Sequence, residues 1–191
     1  MLKPIRAKRM SVSPFTFYRG MPSLMLFDQA WEQSNSGLFQ QICGDCHLSN
    51  FGGFASPERN LLFGINDFDE TLVAPFEWDL QRLVASILIA SQSFKYVESV
   101  GYKAIEKLLT SYLDGLEAHR SLSPLQVWYE KIDTHKILAN TEDVTVRKRR
   151  HADFEKAKKN DAVKMLPKLT ERDTVTGLRA FKTDGELQRP P

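Results

Sequence analysis

Two spacings of apolar residues alternate along the chain, and between them they assign most of its elements. Leu24, Phe27 and Trp31 recur at i, i+3, i+7 and predict a helix from Pro22 to Ser34, stopped by Asn35-Ser36-Gly37. Leu38 to Cys43 is a short, mostly apolar run and predicts a strand. Phe51 to Phe54 and Leu61 to Ile65 predict two more. Between them Ser56-Pro57-Glu58-Arg59-Asn60 reads as a turn, because Pro presets φ and Asn tolerates the left-handed region. The product is a small β-hairpin with acids at both outer ends. After Pro75 the period changes. Leu80, Leu83, Val84, Ile87 and Leu88 predict an amphipathic helix from Glu77 to Ser93. Ile105, Leu108, Leu109, Tyr112, Leu113 and Leu116 repeat the pattern in a second helix, with Ser99 as its expected cap. Ser123-Pro124 has the form of an N-cap followed by Pro at the first helical position, opening a helix from Leu125 to Ala139. A charged helix is expected from Glu142 to Lys159, and Lys182 to Pro191 reads as loop. The fold class that follows is α+β, mostly helical, with a small antiparallel hairpin that carries the acids.

With 191 residues, 42% hydrophobic and 26% charged, the chain suits one globular domain or a large piece of one, not a disordered segment. Its longest nearly uncharged run, Leu83 to Phe94, is broken by Ser86, Ser91, Gln92 and Ser93 and is too short to span a bilayer. Met1-Leu2-Lys3-Pro4-Ile5-Arg6 lacks the apolar stretch of a signal peptide, and two cysteines cannot make a disulfide scaffold. A soluble cytoplasmic protein with no membrane partner is expected.

The net charge of +2 hides an uneven spread. Between residues 45 and 79, Asp45, Glu58, Asp67, Asp69, Glu70, Glu77 and Asp79 face a single base, Arg59. Such a cluster in an apolar stretch needs something positive among the carboxylates: a divalent metal, a buried Arg or backbone N–H groups. From residue 141 onward the balance is basic. Arg147-Lys148-Arg149-Arg150 could touch phosphates, but Asp153, Glu155 and Asp161 follow closely. A solvated helix face is the plainer reading, and nucleic acid is not an expected partner.

The chemistry concentrates in Gly44-Asp45-Cys46-His47-Leu48-Ser49-Asn50 and Ile65-Asn66-Asp67-Phe68-Asp69. A tight hairpin brings its outer ends together, so Asp45, Asn50 and Asp67 can converge. Phosphoryl transfer needs such a trio: one carboxylate orients or deprotonates the attacking hydroxyl, while an amide and a second carboxylate hold Mg²⁺ on the phosphates. The plainer alternative is that these residues only cap turns. Cys43-Gly44-Asp45-Cys46-His47 also satisfies C-x-x-C-H, the c-type haem attachment pattern, with His47 as axial ligand. With no export signal, haem is the least favoured reading, together with a C-x-x-C redox pair. Two small semi-buried cysteines are the plain one.

G-D-x-H-x-x-N followed by an I-x-D-F strand end resembles the catalytic and metal-binding motifs of aminoglycoside-phosphotransferase-like members of the protein kinase superfamily. The fuller series is Ser13-Pro14-Phe15-Thr16-Phe17-Tyr18-Arg19-Gly20, Cys43-Gly44-Asp45 through Asn50-Phe51-Gly52, Ser56-Pro57-Glu58-Arg59, Ile65 through Thr71 and Glu77-Trp78-Asp79-Leu80-Gln81-Arg82-Leu83. It resembles the bacterial family called domain of unknown function 2252, densely from Arg9 to Ala90 and more loosely to Pro191. The resemblance implies a kinase-like C-lobe half. Asp45 would stand in the catalytic-base position, and Asn50 and Asp67 in the two metal-ligand positions. Asp79 would brace the catalytic loop and His47 would shape it. It implies Mg²⁺ and ATP, and an unknown small-molecule or protein acceptor. It also places the Gly-rich loop and phosphate-binding Lys after the region covered here, and residues 91–191 contain no G-x-G-x-x-G. The chain therefore reads as one partial domain. Residues 9–90 form a catalytic-loop region, 91–140 a helical region and 141–191 a basic helix and loop tail, with the nucleotide cradle missing. Self-association through exposed core surface is then expected. The non-enzyme alternative is a binding module in which the helices from Glu77 to Ala139 and the basic tail recruit a partner.

Overall fold

The computed structural model describes residues 3–31, 35–58, 60–159, 162–174 and 176–182. They fall into two compact units, Met1–Gly52 with Phe63–Lys131, and Gly53–Leu62 with Ile132–Pro191. The class is the expected one, a mostly helical α+β fold with small antiparallel two-stranded sheets.

Unit one opens with α1 (Lys3–Met10), α2 (Pro14–Gly20) and α3 (Pro22–Trp31). Ser13 starts α2 with a capping box: its hydroxyl accepts the Thr16 N–H at 3.1 Å, and Thr16 Oγ1 accepts the Ser13 N–H at 2.9 Å. Next come β1 (Phe39–Ile42), one 3-10 turn (Leu48–Asn50), β2 (Phe51–Ala55), β3 (Leu61–Ile65), β4 (Leu72–Pro75), α4 (Glu77–Ser93), α5 (Glu98–His119) and α6 (Pro124–Tyr129). β2 and β3 are the expected hairpin. Its turn closes where the Ser56 N–H donates to Asn60 O at 2.8 Å. Arg59 of that turn, Ser34 at the end of the predicted helix and the tail beyond Lys182 lie outside the described residues. β1 finds a partner that the pattern did not indicate: β4 runs antiparallel to it, with Phe39 opposite Pro75 and Ile42 opposite Leu72.

Two helix starts differ from expectation. Ser99 does not cap α5. The chain is extended at Val97 and already helical at Glu98, so the Ser99 hydroxyl lies past the cap position. The run from Leu125 to Ala139 is two helices, because the chain turns extended at Glu130 and Asp133 caps a new helix, α7 (Thr134–Ala139). Asp133 Oδ1 accepts the His135 N–H at 2.7 Å. Ser123 caps α6 as expected, with Gln126 completing the box.

Unit two holds the tip of the hairpin, α7, α8 (Val144–Lys159), α9 (Ala162–Leu169) and a ribbon of β5 (Thr170–Arg172) and β6 (Arg179–Phe181). The Thr134 hydroxyl donates to Leu61 O at 3.2 Å, tying α7 to the tip. Two cations of the basic run close the end of α7: Arg147 Nε donates to Thr141 O and Arg150 Nη1 to Thr141 Oγ1, each at 2.8 Å. Among the described residues no helix is long and apolar enough to cross a membrane.

Candidate functional site

The loop between β1 and β2 is held by α4. Asp79 Oδ2 accepts the Cys43 N–H at 2.7 Å and its Oδ1 accepts the Gly44 N–H at 3.0 Å. Gly44 itself has φ of +79°, a conformation that glycine adopts at low cost. Four residues further on, Ser86 Oγ accepts the Leu48 N–H at 2.9 Å and donates its own O–H to Leu83 O at 2.7 Å. One face of α4 thus supplies acceptors for backbone donors that a buried loop would otherwise leave unpaired.

Asp45, His47 and Asn50 are all buried. The Asn50 side-chain amide donates to Asp45 O at 2.8 Å, which leaves its Oδ1 as the atom able to meet a cation. The Asn66 N–H donates to Asn50 O at 2.9 Å, and the Cys43 thiol to Asp67 O at 3.3 Å. Through these bonds the structure brings the segments of Asp45, Asn50 and Asp67 together. Asp67 itself is exposed, with Oδ1 contacted by the Asp69 N–H at 3.4 Å. Two oxygen donors, one neutral and one anionic, suit a hard cation that keeps several waters.

His47 Nδ1 accepts the Ser49 N–H at 3.1 Å, so its proton sits on Nε2. Nε2 lies 3.6 Å from Asp45 Oδ2. Burial outweighs the pull of the Asp45 carboxylate and lowers the His47 pKa, which keeps the ring neutral near pH 7. Burial likewise raises Asp79, against the opposing effects of the Cys43 and Gly44 N–H groups and Arg82. Glu70 is raised by burial and by its neighbours Asp45, Asp67 and Asp69. Cys43 and Cys46 are buried free thiols, and burial pushes Cys46 up to about 12. Asp79 and Cys46 also line a cavity of about 410 Å³ whose other walls are mainly apolar, from Phe51, Ile65, Leu83 and Leu108.

Two of the positive partners open to the acid cluster are seen among the described residues. Backbone N–H groups serve Asp79, and a buried Arg serves Asp45: Arg82, 1% exposed, sets its Nε 2.6 Å from Asp45 Oδ1. Arg82 is the site residue that the pattern of the sequence does not single out. Its signal was present, since Asp79, Arg82 and Ser86 fall at i, i+3, i+7 on one helix face.

The family model described as "Uncharacterized protein conserved in bacteria (DUF2252)" matches residues 1–190, and the chain belongs to that family. No curated protein and no solved structure matches the chain.

Proposed function

We propose that the chain carries the catalytic loop of a kinase-like phosphotransferase. The donor would be Mg²⁺-ATP and the acceptor a hydroxyl group of a small molecule or protein. The observation that carries this reading is the braced loop. It offers a buried carboxylate, Asp45, and a buried amide, Asn50, whose main-chain oxygen binds the segment of a second carboxylate, Asp67. In this reading Asp45 orients and deprotonates the acceptor hydroxyl, and Asn50 Oδ1 and Asp67 hold the cation. Bound Mg²⁺ would offset the charge of the phosphates. Neutral His47 shapes the loop through the Ser49 N–H and turns its own Nε2–H toward Asp45 Oδ2. Asp79 fixes the start of the loop, so that Asp45 presents one geometry.

A thermal melt with and without Mg²⁺-ATP, read by tryptophan fluorescence, tests it. Trp31, Trp78 and Trp128 all belong to unit one, so the signal reports the unit that holds the loop. A ligand at 100 times its dissociation constant adds about 2.7 kcal/mol to the native state. A rise in midpoint that Asp67→Asn abolishes would mean a working nucleotide site despite the missing cradle. A cooperative melt indifferent both to Mg²⁺-ATP and to Asp67→Asn would favour the binding module instead. That alternative has one observation of its own: Trp128 and Tyr129 of α6 are 82% and 66% exposed.

A further inference from the structure

Arg82 carries a full charge in the interior of unit one, and its surroundings are specific. Its Nε, at 2.6 Å, and its Nη2 both converge on Oδ1 of Asp45, while Oδ2 faces only His47 Nε2 at 3.6 Å, beyond hydrogen-bond length. Nη2 also donates to Tyr18 O at 2.9 Å, and Cζ stands 4.4 Å from the centre of the Tyr18 ring. The Tyr18 hydroxyl closes the ring of bonds by donating to Arg82 O at 2.9 Å. The guanidinium is thus fixed by Tyr18 of α2, by Asp45 of the loop and by Met25 of α3, whose Sδ lies 3.8 Å from Nη1. A planar fork with this many fixed contacts is a positioning device that Lys cannot copy.

We infer that Arg82, held by Tyr18, is a positioning residue for Asp45: it occupies Oδ1 and leaves Oδ2 as the oxygen that meets the acceptor hydroxyl. The inference rests on the phosphoryl-transfer reading. In that step the acceptor oxygen forms a bond to the γ-phosphorus while the bond from that phosphorus to the bridging oxygen breaks. ADP leaves with the electron pair, and the hydroxyl proton passes to Oδ2. A carboxylate free to rotate would present its two oxygens in turn, and misplacement of the reacting atom by about 1 Å can cost about 100-fold in rate. A purely structural Arg82 would affect folding alone.

The test compares Mg²⁺-ATP turnover, with water as acceptor, in a longer family member that also carries the Gly-rich loop and phosphate-binding Lys, as wild type and with Asp45→Asn, Arg82→Lys, Arg82→Ala and Tyr18→Phe made at the matching positions. Each variant is first checked for a cooperative melt. Arg82→Lys should lose on the order of 100-fold in kcat with the KM for ATP within about threefold of wild type. Tyr18→Phe keeps the ring and loses only the hydroxyl bond, so it should fold and lose several-fold in kcat. Guanidinium at tens of millimolar should restore part of the turnover of Arg82→Ala, which a loss of folding would not allow. If Asp45→Asn is inactive while Arg82→Lys and Tyr18→Phe turn over like wild type, the inference is overturned and the reading stands. If wild type does not turn over ATP, or Asp45→Asn matches it, the phosphoryl-transfer reading has failed and the inference falls with it.

Discussion

Gly44→Ala is the sharpest single test of how the loop is built. A methyl group there meets two separate obstacles. The residue has φ of +79°, and an L-residue with a Cβ held in the left-handed region costs roughly 1–2 kcal/mol. The added Cβ would also collide with the carbonyl oxygen of Glu70, lying 2.8 Å from its carbon and 3.0 Å from Leu72 Cδ2. Glu70 O is backbone, and two residues later the chain pairs with β1, where Leu72 stands opposite Ile42. It has little freedom to yield. Overpacking of this kind costs a further ~1–3 kcal/mol, which brings the total to about 2–5 kcal/mol, a large part of a typical 5–15 kcal/mol. Two controls separate the contributions. Gly37 has φ of +77° with nothing within 4 Å of the added Cβ, so Gly37→Ala should show the conformational cost alone, about 1–2 kcal/mol. Gly115 lies within α5, also with nothing within 4 Å, so Gly115→Ala should stabilise by up to ~1 kcal/mol. Urea unfolding followed by tryptophan fluorescence measures all three in unit one. For Gly44→Ala the melting midpoint should fall by on the order of 10 °C. A Gly44→Ala variant no less stable than Gly37→Ala would refute the close approach of Gly44 to Glu70.

Three further outcomes are expected. Asp79 has a folded-state pKa raised by burial, so the native state holds its proton where the unfolded chain has released it; stability should fall as pH rises from the ordinary Asp value through the raised one, and Asp79→Asn should remove that slope from urea midpoints measured across this window. Ser123→Ala should cost about 1 kcal/mol by chemical denaturation, because it breaks a capping box, whereas Ser99→Ala, which removes no cap, should stay within ~0.5 kcal/mol of wild type. Burial holds Cys43 and Cys46 as thiols, Cys46 up to about 12, so Ellman's reagent at pH 8 should label neither in the native protein and both in denaturant; prompt labelling of native protein would contradict their placement.

How legible the fold was depended on how far each signal reached along the chain. β3 and α4 follow their patterns to the residue, because a run of large apolar residues and a sustained helical period need no distant partner to be read. β4 has neither. Leu72-Val73-Ala74-Pro75 does not alternate and ends in Pro, and it is a strand only because β1 lies beside it. The break at Glu130 to Asp133 was hidden because no Gly or Pro marks it, and its one signal is Asp133, which caps α7. At the site, the hairpin made the meeting of the segments of Asp45, Asn50 and Asp67 foreseeable, since its ends must close. Arg82 was not foreseeable in that way. An Arg within an amphipathic helix ordinarily marks the solvent side, yet here Arg82, Ser86 and Ala90 form the buried row and Leu80, Leu83, Val84 and Ile87 are only half-buried. Small Ser86 lets the loop approach α4 closely, and Arg82 then neutralises the carboxylate that arrives with it.

The web around Arg82 also determines what can be cut out of this protein. Asp79 reaches the loop across 36 residues, Arg82 across 37, Ser86 across 38, and Tyr18 reaches Arg82 across 64. The seven residues from Gly44 to Asn50 keep almost none of these anchors among themselves, and closing loops of such length has an entropic cost that a short peptide cannot offset. The shortest contiguous stretch holding every anchor runs from Tyr18 to Ser86. The motif is therefore not portable: transplanted into another scaffold it would bring the letters of the site and leave its geometry behind.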